Sequence, residues 1–390
     1  MKSTWSNSVF PIAALFSFRM LGLFMLIPVF SVLAEGLSGA TPALIGIALG
    51  SYGLSQGILQ MPFGLWSDRY GRKKMITIGL TLFAIGSLVG ALTHSIYGMI
   101  IARILQGMGA VGSVLIALLA DLTTEQQRTR AMAVIGMTIG MSFSLAMVIS
   151  PAITHHYGLA GIFILTLFLA IAGLVLLHTV IPNPEREEFH ADSETKAVLL
   201  KPVLTNKNLQ RLNAGIFFQH AILTATFYAI PFLLKKAVNQ GIISQQWHFY
   251  LPLMIFSFIA MLPLILLAEK MHKTRVIFLA TVGLTALCQF LLAFYNNAWP
   301  AFCLLMTGYF IAFNFLEANL PSLISRQADK NSKGTAIGVY STCQFLGIFA
   351  GGSAAGLLYQ LSGINGIFFA NAALGLIWLI IALTMRLTKA

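Results

Sequence analysis

Twelve uninterrupted apolar runs, each about twenty residues or longer, constrain this chain more than any other feature. They fall at about 9–34, 42–65, 75–93, 96–120, 131–154, 158–181, 211–234, 249–268, 275–295, 298–324, 333–360 and 364–385. A helix needs about 20 apolar residues to cross the hydrocarbon core of a bilayer. Lipid satisfies no backbone polar group, so a spanning segment is either a helix or a strand of a closed barrel. Barrel strands alternate polar and apolar residues over about ten positions. These runs are continuous, which predicts an all-α integral membrane protein of twelve transmembrane helices. With 57% hydrophobic and 9% charged residues in 390, the chain has too few charges to clothe a soluble domain of this size.

The net charge of +12 does not describe a nucleic-acid-binding face. With the N-terminus inside, 20 of the 24 lysines and arginines fall in cytoplasmic segments; Lys235 and Lys236 fall outside, and Arg19 and Arg103 lie within spans. That asymmetry sets orientation in a membrane and suits an anionic inner leaflet. It predicts cytoplasmic N- and C-termini, the lipid bilayer as surroundings and no nucleic-acid partner. Cys288, Cys303 and Cys343 all fall within spans and give neither a disulfide framework nor a metal spacing. The apolar run in Met1–Ala34 is too long for a signal peptide and is interrupted by Arg19, so it is expected to stay in place.

The only long polar interval, about 182–210, opens with Pro182-Asn183-Pro184 and Glu185-Arg186-Glu187-Glu188. It reads as a cytoplasmic linker with some surface helix between an N-terminal six-helix bundle (1–181) and a C-terminal one (211–390). An internal repeat supports the division. Gly158-Leu159-Ala160-Gly161-Ile162-Phe163 opens the sixth span and Gly363-Ile364-Asn365-Gly366-Ile367-Phe368 the twelfth, 205 residues apart. Repeats of this kind place a substrate site near the midplane between the halves.

Ionisable groups inside a bilayer cost about 2.5–3.5 kcal/mol even on lenient scales, so they mark function. Four lie near mid-span: Arg19 on helix 1, Arg103 on helix 4, His220 on helix 7 and Glu317 on helix 10. Their three-helix spacing makes them equivalent elements of nested repeats, expected to line one polar central cavity together with Gln106 and Asn314. Glu317 is the one mid-membrane carboxyl, and a histidine titrates near neutral pH; the pair is expected to couple to protons. Asn213, Gln219, Asn319, Gln289 and Gln344 rank lower, as polar links between helices.

Other patterns carry little. Gly107-Met108-Gly109-Ala110-Val111-Gly112 spells a dinucleotide fingerprint, but it lacks the strand and βαβ unit that chemistry needs. It reads instead as helix-packing glycine within span four. Gly36-Leu37-Ser38-Gly39 has no partner histidine, and no HExxH or P-loop is present. The chain is expected to be no enzyme, to need no cofactor or metal, and to draw on an ion gradient or on its substrate's own.

The run Gly64-Leu65-Trp66-Ser67-Asp68-Arg69-Tyr70-Gly71-Arg72-Lys73-Lys74 packs four basic side chains close to one acid between spans two and three, as a tight loop hinged by glycine. It resembles motif A of the major facilitator superfamily. Arg103-Ile104-Leu105-Gln106-Gly107-Met108-Gly109 resembles motif B, Asp121 with Leu122 and Arg128 resembles the acidic end of helix 4, and Gly334–Ser341 resembles the start of helix 11. The resemblance covers nearly the whole chain and is nearest to the proton-driven drug exporters of bacterial inner membranes. It implies a monomer that moves small organic compounds and protons by alternating access. Asp68 would cap the start of helix 11 and favour the outward-facing state. Asp68, Arg72 and Asp121 would form a charge relay, Arg69 would belong to the same gating motif, and Gly64 and Gly71 would allow the turn. Arg103 would tune the cavity or its proton site. A similar branch carries a soluble C-terminal domain, which a chain ending at Ala390 is expected to lack. Two departures stand out: Ser150-Pro151-Ala152-Ile153 keeps the helix-5 proline without its paired glycines, and Arg19 stands where many drug antiporters have a helix-1 carboxylate. A metabolite or siderophore carrier of the same fold and a non-transporting membrane sensor are the alternatives.

Overall fold

The structure, a computed structural model, describes residues 5, 8–184, 197–270, 274–329 and 331–385. The linker's acidic run at 185–188 and the basic residues Lys2, Arg186, Lys196, Lys273, Lys330, Arg386 and Lys389 lie outside the described residues. Among the described residues there is no named strand; one isolated bridge joins Ser38 and Ser95.

Nine helices among the described residues are long and apolar enough to cross a membrane. Two of these, Glu125–Thr179 and Lys333–Leu383, run 55 and 51 residues. At ~1.5 Å per residue each is roughly twice the length one crossing needs. Each breaks at a glycine with left-handed backbone: Gly158 at φ 60° and ψ −159°, and Gly363 at φ 67° and ψ −163°. Each therefore supplies two crossings. A further, shorter apolar helix, Val9–Phe24, brings the crossings to twelve. We number them α1 (Val9–Phe24), α2 (Pro42–Tyr70), α3 (Arg72–Leu92) and α4 (Ile96–Asp121), then α5 (125–157) and α6 (159–179). The others are α7 (Lys207–Asn239), α8 (Trp247–Lys270), α9 (Thr274–Tyr295), α10 (Trp299–Gln327), α11 (333–362) and α12 (364–383). Large apolar side chains such as Phe168, Phe256, Leu304 and Ile380 stand exposed on the outer surface, as lipid-facing positions require.

Three expectations need correction. The run 64–74 is not a loop. α2 stays helical to Tyr70, Gly71 alone turns the chain at φ 95°, and α3 resumes at Arg72. Gly64 is helical, so it does not make the turn. Span four is not continuous: α4 halts at Met108 and restarts at Gly112. Between them Ala110 N–H donates to Met108 O and Val111 N–H to Gly109 O, both at 2.8 Å, two successive three-residue turns. Close packing of the glycines does hold there: a Cβ on Gly107 would lie 2.3 Å from Tyr52 O, and one on Gly109 2.4 Å from Gly79 O. The first apolar run also breaks, with α1 ending at Phe24 and a separate short helix at Phe30–Leu33.

The packing is uneven along the membrane normal. Call the end that carries Gly71 the basic end, and the opposite one the far end. At the far end one apolar core takes residues from both sides of the linker, including Met25, Phe30, Leu49 and Phe143 with Phe227, Tyr250 and Phe310. At the basic end the buried residues split into two cores. One is built from α1–α6 with Phe345 added; the other is built from the chain after residue 200. The far-end seam is backbone on backbone. A Cβ on Gly46 would lie 2.3 Å from Gly352 O, one on Gly50 2.8 Å from Phe349 O, and one on Gly53 2.5 Å from Phe345 O. Two tyrosines reach across as well: Tyr228 Oη donates to Pro42 O at 3.0 Å and Tyr250 Oη to Pro28 O at 3.3 Å. The halves are closed together at the far end and separately packed at the basic end. Gly46→Leu should wedge α2 from α11, because backbone cannot yield as a side chain can. The check is the distance between spin labels at Ser38 and Gln240 in a background without the native cysteines, which should lengthen.

Candidate functional site

The basic end holds a buried ion cluster. Arg72 follows directly on the Gly71 turn, and this folds its side chain back against α2 and the end of α4. Arg72 Nε donates to Asp121 Oδ2 at 3.2 Å, and Nη1 donates to Ser67 Oγ at 2.7 Å and to Asp68 Oδ1. Arg72 and the Asp121 side chain are almost fully buried, whereas the Asp68 side chain is about one-third exposed. Ser67 Oγ passes its own proton to Gly64 O at 2.7 Å. The three residues expected to form a charge relay thus lie in one contact network. Its expected extension to α11 is not made here. Among the described residues Asp68 bonds Arg72, and Ser332, the N-cap of α11, makes no side-chain cap bond. Arg69 points outward over the Tyr70 ring, 5.6 Å from its centroid.

A second cluster lies among α1, α2 and α4. Arg19 Nη2 donates to Tyr52 Oη at 2.9 Å and to Gln56 Oε1. Gln56 Nε2 continues to Gln60 Oε1 at 3.2 Å. The Arg103 guanidinium lies over the Tyr52 ring, 4.8 Å from its centroid, a cation–π contact. Arg103 Nη1 donates to Gln106 Oε1 at 2.9 Å, and Gln106 Nε2 to Ser87 Oγ at 2.9 Å. Both arginines are 98% buried, yet Arg19 Nε and Nη1 and Arg103 Nε have no hydrogen-bond partner.

The third cluster belongs to α7, α10 and α11. His220 Nε2 is 3.8 Å from Glu317 Oε2. Gln344 Nε2 sits between the two, 2.8 Å from His220 Nε2 and 3.5 Å from Glu317 Oε1. Gln219 Nε2 donates to Glu317 Oε2 at 2.9 Å. The amide of Gln344 donates to an unprotonated ring nitrogen and, turned over, accepts from a protonated one. It therefore serves either charge state of the histidine. The Glu317 side chain is 37% exposed and the His220 side chain 7%, so the carboxylate has an outlet the imidazole lacks.

The four mid-span ionisable residues therefore gather as two pairs, Arg19 with Arg103 and His220 with Glu317. Gln106 joins the arginines. Asn314 stands apart, donating to Ser257 Oγ on α8 at 3.1 Å and linking helices. Two residues ranked low, Gln219 and Gln344, prove to be the direct partners of Glu317. Tyr52, Gln56 and Gln60 had no place in the sequence reading. Their four-residue spacing puts them on one stripe of α2, and that stripe was the signal that could have found them. Gln289, likewise ranked low, bonds Thr226 and Asn371 in a buried polar knot of α7, α9 and α12.

Asp121→Asn should lower the melting temperature of purified protein more than Asp68→Asn. The first strips a buried arginine of its buried counter-charge, a loss of about 3 kcal/mol when one partner of such a pair is removed. The second removes a partner that is part-exposed to solvent.

Comparison with known proteins matches the description "Major Facilitator Superfamily" to residues 12–352 and again to 212–390. The "Inner membrane transport protein YajR" of Escherichia coli is 42% identical over 99% of this chain and 83% of its own length. "Multidrug resistance protein 2" of Bacillus subtilis is 26% identical over 88% of this chain and 86% of its own. The crystal structure of a D-xylose-proton symporter superposes with a TM-score of 0.78 at 16% identity, covering 98% of each chain.

Proposed function

This chain belongs to the major facilitator superfamily of transporters, and on that premise we propose that it is a proton-coupled exporter of small organic compounds. It is an integral, multi-pass membrane protein and not an enzyme. Which solute it moves, and in which direction, is our reading rather than the family's.

The observation that carries the reading is the His220–Gln344–Glu317 cluster. A carboxylate inside a membrane span is costly unless it is partnered or serves a proton path. Glu317 has one donor amide on each side and a histidine 3.8 Å away. Protonating Glu317 weakens its hold on Gln219 and leaves Gln344 freer to follow His220. Loading and unloading one proton would therefore re-pair three helices, α7, α10 and α11. Of these, α11 is the one packed backbone to backbone on α2 across the seam. That supplies a physical link between a proton and the closure of the far end.

Direction rests on the basic end facing the cytoplasm, as the charge asymmetry requires. The conformer described is then closed outward and opens toward the cytoplasm. An exporter takes up its cargo in that state. The Asp68–Arg72–Asp121 cluster would be the cytoplasmic latch, with Asp68 free to exchange Arg72 for the start of α11 when that side closes. The likeness to a relative called a multidrug resistance protein favours an organic, drug-like cargo. A monomer in the bacterial inner membrane with cytoplasmic termini, its halves spanning 1–181 and 211–390 and joined by the 182–210 linker, completes the proposal.

The test is proton movement into sealed proteoliposomes loaded with a pH-sensitive dye, on adding lipophilic compounds. Wild type should show substrate-triggered flux. Glu317→Gln, which keeps the shape and removes the titration, should lose nearly all of it. Equal flux in both would remove Glu317 from the coupling path.

A further inference from the structure

Among the described residues, the arginine cluster is a place where buried charge stands without a counter-charge. Arg19 and Arg103 are each 98% buried, bracket the same Tyr52 ring, and bond only to neutral groups. Among the described residues no Asp or Glu pairs with either. A buried charge without a partner costs several kcal/mol, and three of the guanidinium nitrogens donate to nothing.

The break in α4 points into the same place. The second half of α4, Gly112–Asp121, is ten residues long, and its N-cap, Val111, offers no side-chain acceptor. Leu115 N–H is the first amide to bond back, to Val111 O; Gly112, Ser113 and Val114 N–H find no backbone acceptor. The N-terminus of such a half-helix carries about half a positive charge. The first residue is glycine, so the space beside it is not filled by a side chain. A Cβ placed on Gly112 would lie 3.6 Å from Arg19 Nη1 and 3.6 Å from Gln60 Nε2. Thus an unpartnered guanidinium nitrogen, an amide donor and an open helix N-terminus converge on one point. Donors gather there, and among the described residues no carboxylate is paired with the arginines.

The geometry points to an oxyanion site at the α4 break, which takes the carboxylate of a small organic acid between Arg19, Gln60 and the Gly112 turn, with Arg103 as the second cation. Discontinuous helices serve this role in other transporters, where half-helix N-termini meet anionic groups. Val111, Leu115 and Phe345 belong to the apolar core around these helices, and such surroundings suit an acid carried on an apolar body. Phe345 of α11 lies against Tyr52, with ring centroids 6.4 Å apart. Movement of α11 relative to α2 therefore changes the packing over the site. This inference rests on the transporter reading and narrows its cargo from organic compounds in general to organic acids.

The test is binding of radiolabelled benzoate to purified protein in nanodiscs, with benzylamine and benzyl alcohol as cationic and neutral competitors of the same size. Saturable benzoate binding that neither competitor displaces is expected. Arg19→Gln and Arg103→Gln should each weaken it about tenfold or more, and Arg19→Lys should recover part of the loss. Gly112→Ala is the variant that guards against misfolding, because an added Cβ makes only ordinary contacts there. It should stay monodisperse and melt near wild type while losing benzoate. Absence of saturable benzoate binding to wild type, displacement by benzylamine as readily as by benzoate, or full binding in folded Gly112→Ala and Arg19→Gln would each overturn the site. No proton gradient is used. A failed proton-flux experiment with benzoate binding intact would therefore defeat the antiporter reading alone, and the reverse would defeat only this one.

Discussion

The rest of the structure hangs on the approach of α2 to α11. Membrane helices gain nothing from burying apolar surface against each other when lipid is equally apolar, so their association depends on close packing. Here closeness comes from omission of side chains: Gly46, Gly50 and Gly53 on one helix face Gly352, Phe349 and Phe345 backbone on the other. Toward the basic end the contact loosens, with a Cβ on Gly57 3.4 Å from Leu346 Cγ and Thr342 O, while Gln60, Phe63 and Ser67 bond or pack within their own half. The helices can separate there without breaking a seam. The two-core arrangement at that end follows from where the glycines stop.

Against this frame the three polar clusters differ in how their charge is settled. Arg72 is saturated by two aspartates and a serine, the arrangement of a catch that holds a shape. His220 and Glu317 share amides that can serve more than one protonation state, the arrangement of a group that changes charge. Arg19 and Arg103 have positive charge in excess and free donors, the arrangement of a receptor. Each cluster sits on a different set of helices, yet α2 or α11 takes part in all three. Changes of charge at any of them are felt at the seam.

Much of this was legible in the chain. The twelve crossings follow from the length of apolar runs, and the matched Gly158 and Gly363 follow from a six-residue repeat whose two copies adopt the same left-handed turn. Arg19, Arg103, His220 and Glu317 stood out because a charge in an apolar run is conspicuous. The neutral residues that decide their pairing did not. Gln344 and Gln219 are ordinary polar residues in a hydropathy profile, and only the crossing of α7, α10 and α11 gives them meaning. The α4 break was misread because glycines spaced for packing and glycines that interrupt a helix have the same spelling; the distinction is made by Gly79 on α3, which lets the interrupted backbone of Gly109 come close. The 64–74 run was read as a loop because charge there suggested water. Helical hydrogen bonding continues through charged residues at a membrane surface as readily as through apolar ones.

Pro28 and Pro42 give the closed end a particular character. Their carbonyls receive Tyr250 and Tyr228 from the opposite half. Both acceptors are backbone carbonyls, so they need no polar side chain on the receiving half. Neutral hydrogen bonds of this kind are worth about 1 kcal/mol each. Together they weight the closed state by roughly 30-fold, enough to bias a population and too little to trap it. The far-end closure is thereby poised: firm in its backbone fit and lightly fastened in its bonds.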